Sequence, residues 1–342
     1  MPVPADWRER VQKCLDEYNR ASDRFGRVYD ELFNCFVWTE LEPATSLDSI
    51  RNWLSELNGS WSFRGQRESS WTLQTSLDRE ITVFHNSGHY PLPDRQKVEN
   101  ELLFRFQQQV HNYVRHLPSA DDRASWLALM QHYGVPTRLL DWTQSPYVAL
   151  YFAVEEKPQE TAEDRCEPSD EKKVQQKERF SAVWAIDLDW LEAKTKEELG
   201  SIPDDPKARI QHLNGLLGEQ KQPLIVRIDP LQGNGRMFAQ QGFFLWKLYE
   251  ETRFFDQILI SMMLKPELPL RPVIRKLHVG GTHRVEFLES LRGMNIHRAS
   301  LFPGIDGFCK SLRVDLQIKV DHERQRANLQ HDALMASVKN DP

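Results

Sequence analysis

The chain has 342 residues, of which 40% are hydrophobic and 27% are charged, and its formal net charge is −6. This composition is ordinary for a globular protein and supports a core that needs neither a disulfide nor a metal scaffold. The acidic balance argues against nucleic-acid binding by bulk electrostatics, because phosphate contacts need clustered Lys and Arg, although a local basic cleft remains open.

The cysteines and the apolar segments indicate the cellular compartment of the protein. Cys14, Cys35, Cys166 and Cys309 form no C-x-x-C pair and lie beside no His at zinc-ligand spacing, so we expect reduced thiols and no metal. The first residues lack the pattern of a secretory signal, and no apolar run approaches the about 20 residues that a membrane-spanning helix needs. The sequence therefore predicts a cytoplasmic protein without a membrane partner.

The first half of the chain is predicted to be mainly helical. Apolar residues recur at three- and four-residue steps in four segments, which are 5–35, 46–57, 94–116 and 121–133. Alternating small and aromatic residues predict a short strand over 60–64, and residues 137–142 predict another. Ser145 followed by Pro146 is typical of a helix start.

The second half is predicted to supply most of the strands. The predicted strands are 181–186, 224–228, 258–264 and 273–279, and the predicted helices are 284–293 and 306–313. Residues 155–179 are highly charged and predict a solvated insertion. The order of elements predicts an α+β protein with a helical region at 1–57, a mixed domain at 58–320 with a central, mostly antiparallel sheet, and a polar tail at 321–342 that frays.

The segment Phe63-Arg64-Gly65-Gln66 is the first candidate for chemistry. A guanidinium at a strand end presents a planar fork of donors that suits a phosphate or a carboxylate. The glycine that follows lets a ligand approach the backbone N–H and C=O groups. The structural alternative is a surface salt bridge beside a turn glycine.

The segment 131–146 is the second candidate, because it concentrates polar groups between two apolar helices. Its polar residues include His132, Tyr133, Arg138, Asp141, Thr143 and Ser145. Arg138 and Asp141 are expected to pair, and Thr143 and Ser145 lie at a helix start, where backbone N–H groups favour an anion. The structural alternative is that Ser145 only caps its helix and that His132 is a satisfied core residue.

Two later segments give weaker signals. Residues 236–244 place an amide pair, Gln240 and Gln241, ahead of Gly242 and two aromatic residues, which predicts a strand edge near a cleft or an ordinary strand with a bulge. Residues 302–307 predict a loop that leads into a helix capped by Asp306, with no direct functional role.

The two candidate segments together resemble the FRG domain family. The matching residues are Phe63-Arg64-Gly65-Gln66, Trp71, Leu73, Ser76-Leu77, the run His132-Tyr133-Gly134-x-Pro136-Thr137-Arg138-Leu139-Leu140-Asp141-Trp142-Thr143-x-Ser145-Pro146, and the late stretch Leu301-Phe302-Pro303-x-Ile305-Asp306-Gly307. Arg236, Gln241, Gly242 and Phe244 fit as well, so the likeness extends from about residue 60 to 313. Proteins of this family look mostly bacterial, and the setting in which they occur implies a toxin-like or phage-defence role.

A more distant resemblance is to the arginine-type ADP-ribosyltransferases, which use NAD. It implies that Arg64 binds the NAD phosphate or ribose, that Gly65 holds the nicotinamide amide, and that Thr143 and Ser145 support the site. The predicted catalytic residues are Arg64, His132, Tyr133 and Gln241, and the predicted cofactor-binding residues are Arg64, Gly65, Gln66, Arg138, Asp141, Thr143 and Ser145. The chain departs from the transferase pattern because no E-x-E or Q-x-E lies near Gln241, which leaves Glu101 as a remote substitute for the missing carboxylate.

Three functions therefore stay open at the level of the sequence. The first is transfer of ADP-ribose to a macromolecular target (RNA, DNA or protein), with an antitoxin or a defence-system protein as a further partner. The second is a non-catalytic module that binds a nucleotide or a protein. The third is an enzyme that acts on nucleic acid, which the acidic pI and the lack of paired carboxylates at metal spacing disfavour.

Overall fold

The computed structural model describes residues 37–40, 42–86, 94–157, 179–201, 224–229, 235–248 and 271–339, with Phe254, Ile258 and scattered residues between 203 and 215. A seven-stranded sheet organises these residues. The strands are β1 (Val37–Thr39), β2 (Trp61–Gln66), β3 (Leu139–Thr143), β4 (Phe180–Asp187), β5 (Ile225–Ile228), β6 (Gly242–Lys247) and β7 (Ile274–Gly280). The helices used below are α1 (Leu47–Ser55), α2 (Ser76–Asn86), α3 (Arg95–Gln109), α4 (Arg123–His132), α5 (Pro146–Val154), α6 (Leu188–Leu199), α7 (Gly235–Ala239), α8 (Arg284–Gly293), α9 (Arg298–Leu301) and α10 (Ile305–Lys339).

The strand order is β1-β7-β4-β2-β3-β6-β5, and every pair is antiparallel except β1 with β7. This arrangement confirms the predicted α+β class with a mostly antiparallel sheet. The two strands that carry the candidate segments, β2 and β3, are neighbours at the centre of the sheet. The fold therefore brings together two stretches that lie about 75 residues apart in the sequence.

Two hydrophobic cores cover the same face of the sheet. One packs Phe63 and Val183 against α5 and α8, and the other packs Leu139 and Trp246 against α4. Successive side chains of a strand point to opposite faces, and the strand registers place these four residues on one face. The centre of that face, between the two cores, is where β2 meets β3.

Local sequence signals account for the helix starts around the site. Ser145 accepts a hydrogen bond from the Val148 amide, and Pro146 fills the first position of α5. Asp122 caps α4 in the same way through the Ser125 amide. These contacts satisfy N–H groups that have no partner within a helix, so they fix where each helix begins.

Several predicted elements need correction. The region predicted to be helical up to residue 57 contains β1, which pairs with β7. Residues 235–239 form α7 instead of a strand edge, and Ile258 is helical where the sequence predicted a strand. The last helix, predicted to end near residue 313, continues to Lys339, so the tail is helical over most of its length.

Other predictions fall outside the described residues. These are the helix at 5–35, nearly all of the charged insertion, and most of the strand at 258–264. The proposed domain boundaries stay predictions. Among the residues that the structure does describe, no helix combines the length and apolar character needed to cross a membrane.

Candidate functional site

The central feature of the site is an interrupted strand pairing. β2 pairs with β4 along its whole length, but it pairs with β3 only where Phe63 lies opposite Thr143. Continued pairing at this register would place Gly65 opposite Asp141, and the structure has no such pair. We call this gap, with Gly65 on one side and Asp141 on the other, the β2–β3 split.

The backbone of Gly65 points into the split. The Leu188 amide donates to the Ser60 carbonyl oxygen at 2.8 Å, which fixes the phase of the hydrogen bonds between β2 and β4. In an antiparallel pair the residues alternate between groups that bond to one neighbouring strand and groups that face the other. Five residues after Ser60, this alternation turns the N–H and C=O groups of Gly65 toward β3.

The backbone of Asp141 points into the split from the other side. The Gln144 amide donates to the Gln241 carbonyl oxygen at 3.0 Å, which fixes the phase of the bonds between β3 and β6. The same alternation then turns the N–H and C=O groups of Asp141 toward β2. The split is therefore lined on both sides by backbone groups that a regular ladder would pair with each other.

Arg64 occupies the split and retains unused donors. Its Nη1 donates to the Asp141 carbonyl oxygen at 2.6 Å and lies 3.9 Å from the Asp141 Oδ2. Its Nε is buried and has no hydrogen-bond partner. Burial lowers the pKa of the Arg64 guanidinium to about 10, an effect that Asp141 opposes and Arg79 reinforces. The guanidinium therefore bridges the two strands through a carbonyl oxygen and has no carboxylate oxygen at hydrogen-bond distance.

Glycine is required at position 65 because α5 packs directly on β2. A Cβ on Gly65 would overlap the Ala149 carbonyl oxygen and would lie 2.6 Å from the Ala153 nitrogen. Both of these are backbone atoms of α5, which cannot move aside as a flexible side chain does. The glycine thus serves the close approach of helix and strand as well as leaving its own backbone exposed to the split.

A second arginine, Arg236 of α7, lies near the split without a counterion. Its guanidinium carbon is 4.3 Å from the centroid of the Phe302 ring. Within the described ranges it has no ion pair and no side-chain hydrogen bond. Burial lowers the pKa of Arg236, while Asp141 is close enough to raise it.

Arg298 also stacks on the Phe302 ring, but its charge is neutralised. Its guanidinium carbon lies 3.7 Å from the ring centroid, and its Nη1 donates to both carboxylate oxygens of Glu155, at 2.7 and 2.8 Å. The ring also meets Phe152 of α5 edge-on. Phe302 is thus held from two sides, and of its two arginines only Arg236 lacks a carboxylate partner.

Two of the predicted site residues, His132 and Tyr133, lie at the end of α4, where the charge of Arg236 acts on His132. Burial lowers the pKa of His132, and the positive charge of Arg236 lowers it further. Tyr133 meets the His132 ring edge-on at 4.9 Å and is 57% exposed. Gln241 is exposed and has a φ of 47°, in the turn that leads into β6.

Other predicted site residues are committed to structural contacts. Arg138 does not pair with Asp141 as predicted: its Nε donates to the buried Glu99 at 2.7 Å, and its side chain is only 2% exposed. Gln66 accepts from the Trp184 indole at 2.7 Å and donates to the Thr72 carbonyl oxygen at 3.1 Å. Both side chains are therefore saturated by the fold.

Thr143 and Ser145 stabilise the backbone next to the split through hydrogen bonds within the protein. The Thr143 hydroxyl donates to the Gln240 carbonyl oxygen at 2.6 Å and accepts from the Ser145 amide at 3.0 Å, which ties β3 to the turn before β6. The Ser145 hydroxyl caps α5. Glu101, the remote carboxylate, is exposed on α3 and makes no ion pair with the described residues.

The sequence missed the part of the site that Phe302 and Arg298 form. Residues 302–307 predicted a loop without a role, and Arg236 was part of the family resemblance but not of the predicted site. The only signal for this cluster was the Phe-Pro-Gly turn after a short helix, which is too common to indicate a site. No group of three or more His, Cys, Asp or Glu within the described segments could hold a metal ion.

Comparison with known proteins identifies the central segment. A family model described as FRG domain matches residues 59–162, which include β2, β3, α4 and α5 and therefore both sides of the split. Arg236 and Phe302 lie outside the matched residues. No curated protein and no solved structure matches the chain.

Proposed function

We propose that the FRG domain of this chain binds NAD with its nicotinamide end in the β2–β3 split and transfers ADP-ribose to a macromolecular target. The observation that carries this proposal is the interruption of the ladder at Gly65 and Asp141, with Arg64 between the strands. A planar amide such as that of nicotinamide has one donor and one acceptor side. The facing N–H and C=O groups of Gly65 offer the complementary pair.

Arg64 supplies the positive charge that a dinucleotide needs. Its guanidinium donates to the Asp141 carbonyl oxygen and lies beside the place where the nicotinamide would bind. A fork of N–H donors suits the pyrophosphate or the ribose hydroxyls of NAD. Because the group is already held by the Asp141 carbonyl oxygen, binding a ligand costs little additional side-chain ordering.

Asp141 provides the carboxylate that the late strand lacks. Its side chain is 61% exposed and lies across the split from the Gly65 backbone. In the proposed reaction the bond between the ribose C1′ and the nicotinamide nitrogen breaks, and its electron pair leaves with nicotinamide. Asp141 stabilises the positive charge that develops on the ribose, and the target nucleophile bonds to C1′ and releases its proton to solvent water.

The biological setting implied by the family resemblance is that of a toxin-like or phage-defence effector. The target is a macromolecule, and an antitoxin or a defence-system protein is the expected partner. NAD consumption by such an effector would stop growth when the protein is expressed in bacteria. An Arg64→Ala variant that remains folded would relieve that arrest.

The direct test measures nicotinamide release and label transfer. Purified protein is incubated with NAD labelled in its adenylate phosphate, together with RNA, DNA and a protein extract. We expect Arg64→Ala to reduce release and transfer by about 10- to 100-fold, because it removes a charge-assisted contact to the phosphate or ribose of NAD. Arg51→Ala is the matched control, since Arg51 is an exposed arginine on α1 paired only with Asp48.

The outcomes separate the alternatives. NAD binding that depends on Arg64 without nicotinamide release would replace the transferase with a non-catalytic nucleotide-binding module. Cleavage of RNA or DNA without any NAD interaction would favour an enzyme acting on nucleic acid. Thermal melting of each variant shows whether a loss of activity reflects unfolding.

A further inference from the structure

Two arginines stack on the ring of Phe302, but only one of them has an ion-pair partner. Arg298 and Arg236 both lie over Phe302, at 3.7 and 4.3 Å. Glu155 neutralises Arg298 through two short contacts, and no carboxylate lies within ion-pair distance of Arg236 in the described part of the chain. The charge of Arg298 is therefore neutralised within the protein, whereas Arg236 has a guanidinium that could pair with the anionic group of a ligand.

Burial makes the isolated charge of Arg236 unfavourable. Desolvation lowers the pKa of this guanidinium and outweighs the attraction of Asp141, which acts in the opposite direction. A partly buried charge without a counterion is destabilising, and pairing with the anionic group of a ligand would offset that desolvation cost. Stacking on Phe302 restricts the guanidinium, so its donors are already oriented.

The position of Arg236 indicates which anion it would meet. The Gln240 amide donates to the Arg236 carbonyl oxygen at 3.0 Å, and the Gln240 carbonyl oxygen accepts from Thr143 at 2.6 Å. Thr143 is the last residue of β3 to pair with β2 before the split, so α7 adjoins the split, and Asp141 acts electrostatically on both Arg64 and Arg236. His132, whose pKa Arg236 lowers, borders the same space. A ligand held by Arg64 in the split would extend toward Arg236 with a second negative group.

We propose that Arg236, held against Phe302, binds a phosphate of a nucleoside diphosphate moiety whose other end lies in the β2–β3 split. This inference rests on the proposed binding of NAD and specifies which part of that ligand each arginine holds. Arg64 serves the nicotinamide end, and Arg236 serves the pyrophosphate. It also gives a role to a residue outside the segment that the FRG domain model matches.

The test uses three probes that differ in phosphate content. Binding of ADP-ribose, inorganic pyrophosphate and nicotinamide riboside is measured by calorimetry for the wild type, Arg236→Gln and Arg236→Lys. We expect Arg236→Gln to weaken ADP-ribose and pyrophosphate about 10- to 100-fold, the range for losing a charge-assisted contact, and to leave nicotinamide riboside unchanged. Arg236→Lys should retain part of the affinity because it keeps the charge without the planar fork. Arg51→Gln is the exposed control.

The results distinguish this inference from the proposed function. Equal ADP-ribose affinity in the wild type and Arg236→Gln overturns the inference, as does a wild type that binds neither ADP-ribose nor pyrophosphate. Nicotinamide release with an unchanged KM in Arg236→Gln also overturns it and leaves the transferase standing. Arg236-dependent ADP-ribose binding by a wild type that releases no nicotinamide supports the inference and rejects the transferase. Melting curves confirm that each variant is folded.

Discussion

Buried arginines lie both at the start of β3 and at the β2–β3 split, but their hydrogen-bond partners differ. At the start of β3, Arg138 donates to Glu99 through its Nε and Nη2 groups, and the Glu99 carboxylate also accepts from the Arg138 amide and from Arg123. At the split, Arg64 is held by a carbonyl oxygen and has an unsatisfied Nε, and Arg236 has no counterion. Arg138 immediately precedes β3, and only a few residues separate it from Asp141.

The contrast separates buried charges that the fold pairs with a carboxylate from buried charges that it does not. Buried polar groups in proteins are normally paired, so a saturated cluster such as that of Glu99 is explained by stability alone. A buried arginine without a hydrogen-bonded carboxylate is not explained in this way, because no opposite charge within the protein offsets the cost of its desolvation. The Arg138 and Glu99 cluster therefore fixes the start of β3, next to the split.

The largest effect is expected from breaking the saturated cluster. Glu99→Gln removes the charge that two guanidiniums share, and we expect it to lower the free energy of unfolding by about 3–5 kcal/mol, the range for an unpaired buried charge. Although burial alone raises the pKa of Glu99, Arg138 and Arg123 lower it below its usual value, which shows that the site favours the ionised form. Denaturant titration gives the measurement.

Two controls belong with that variant. Glu101→Gln changes an exposed residue on the same helix and should alter stability by less than about 0.5 kcal/mol. Asp141→Asn changes the carboxylate of the split, which is 61% exposed, and should cost at most about 1 kcal/mol. Comparable destabilisation by Glu99→Gln and Asp141→Asn would contradict the distinction between the two regions.

A second contrast, between two buried lysines, predicts a smaller and pH-dependent effect. Lys247 donates to the Asp78 carboxylate at 2.6 Å, whereas Lys276 donates to the Ser69 carbonyl oxygen and lies 4.8 Å from the Trp184 ring. Burial lowers the pKa of Lys276 to about 8, from 10.5. Between these two pH values the unfolded chain binds the proton more tightly than the folded chain does. The free energy of unfolding should therefore rise with pH across this window, by about 3 kcal/mol.

The measurement is stability at several pH values from 7 upward, compared with that of Lys276→Met. The variant removes the titrating amine, so the rise that belongs to Lys276 should vanish, and the difference between the two curves isolates it from other groups that titrate at high pH. Burial and Lys276 both lower the pKa of the neighbouring His278, whose titration lies at lower pH. An equal rise in the variant would show that Lys276 is already satisfied in the folded protein.

Local sequence signals were enough to predict much of the region around the split. The start of α5 at Ser145 and Pro146, the strand that carries Arg64, and the strand that ends at Thr143 are set by short-range patterns, namely capping residues and alternating side chains. The resemblance to FRG domains indicated that these segments belong to one site. Gly65 was singled out for its exposed backbone, although its packing against α5 is a second reason for the glycine.

The partners of the charged residues could not be predicted in the same way. Arg138 pairs with Glu99, which lies 39 residues away, instead of Asp141, which lies three residues away, because the packing of α3 on α4 places that carboxylate beside β3. Arg236 and Phe302 meet only through the tertiary contact of α7 with α9. The tail was predicted to fray because few apolar residues follow Asp321, but Asp321 itself accepts from Arg284 and α10 continues beyond it.

The smallest effect is expected at Ser145, where the capping role and the predicted ligand-binding role make different predictions. The Ser145 hydroxyl accepts from the Val148 amide at 3.3 Å, so Ser145→Ala should lower the free energy of unfolding by about 1 kcal/mol. Ser46 caps α1 through the Ser49 amide at the same distance, away from the split, and Ser46→Ala is the matched control. If Ser145 is saturated by its helix as Arg138 is by Glu99, both variants lose similar stability and both keep wild-type affinity for ADP-ribose. A tenfold loss of that affinity in Ser145→Ala alone would place its hydroxyl among the groups that bind the ligand, and a saturated contact would then no longer separate structural from functional residues in this fold.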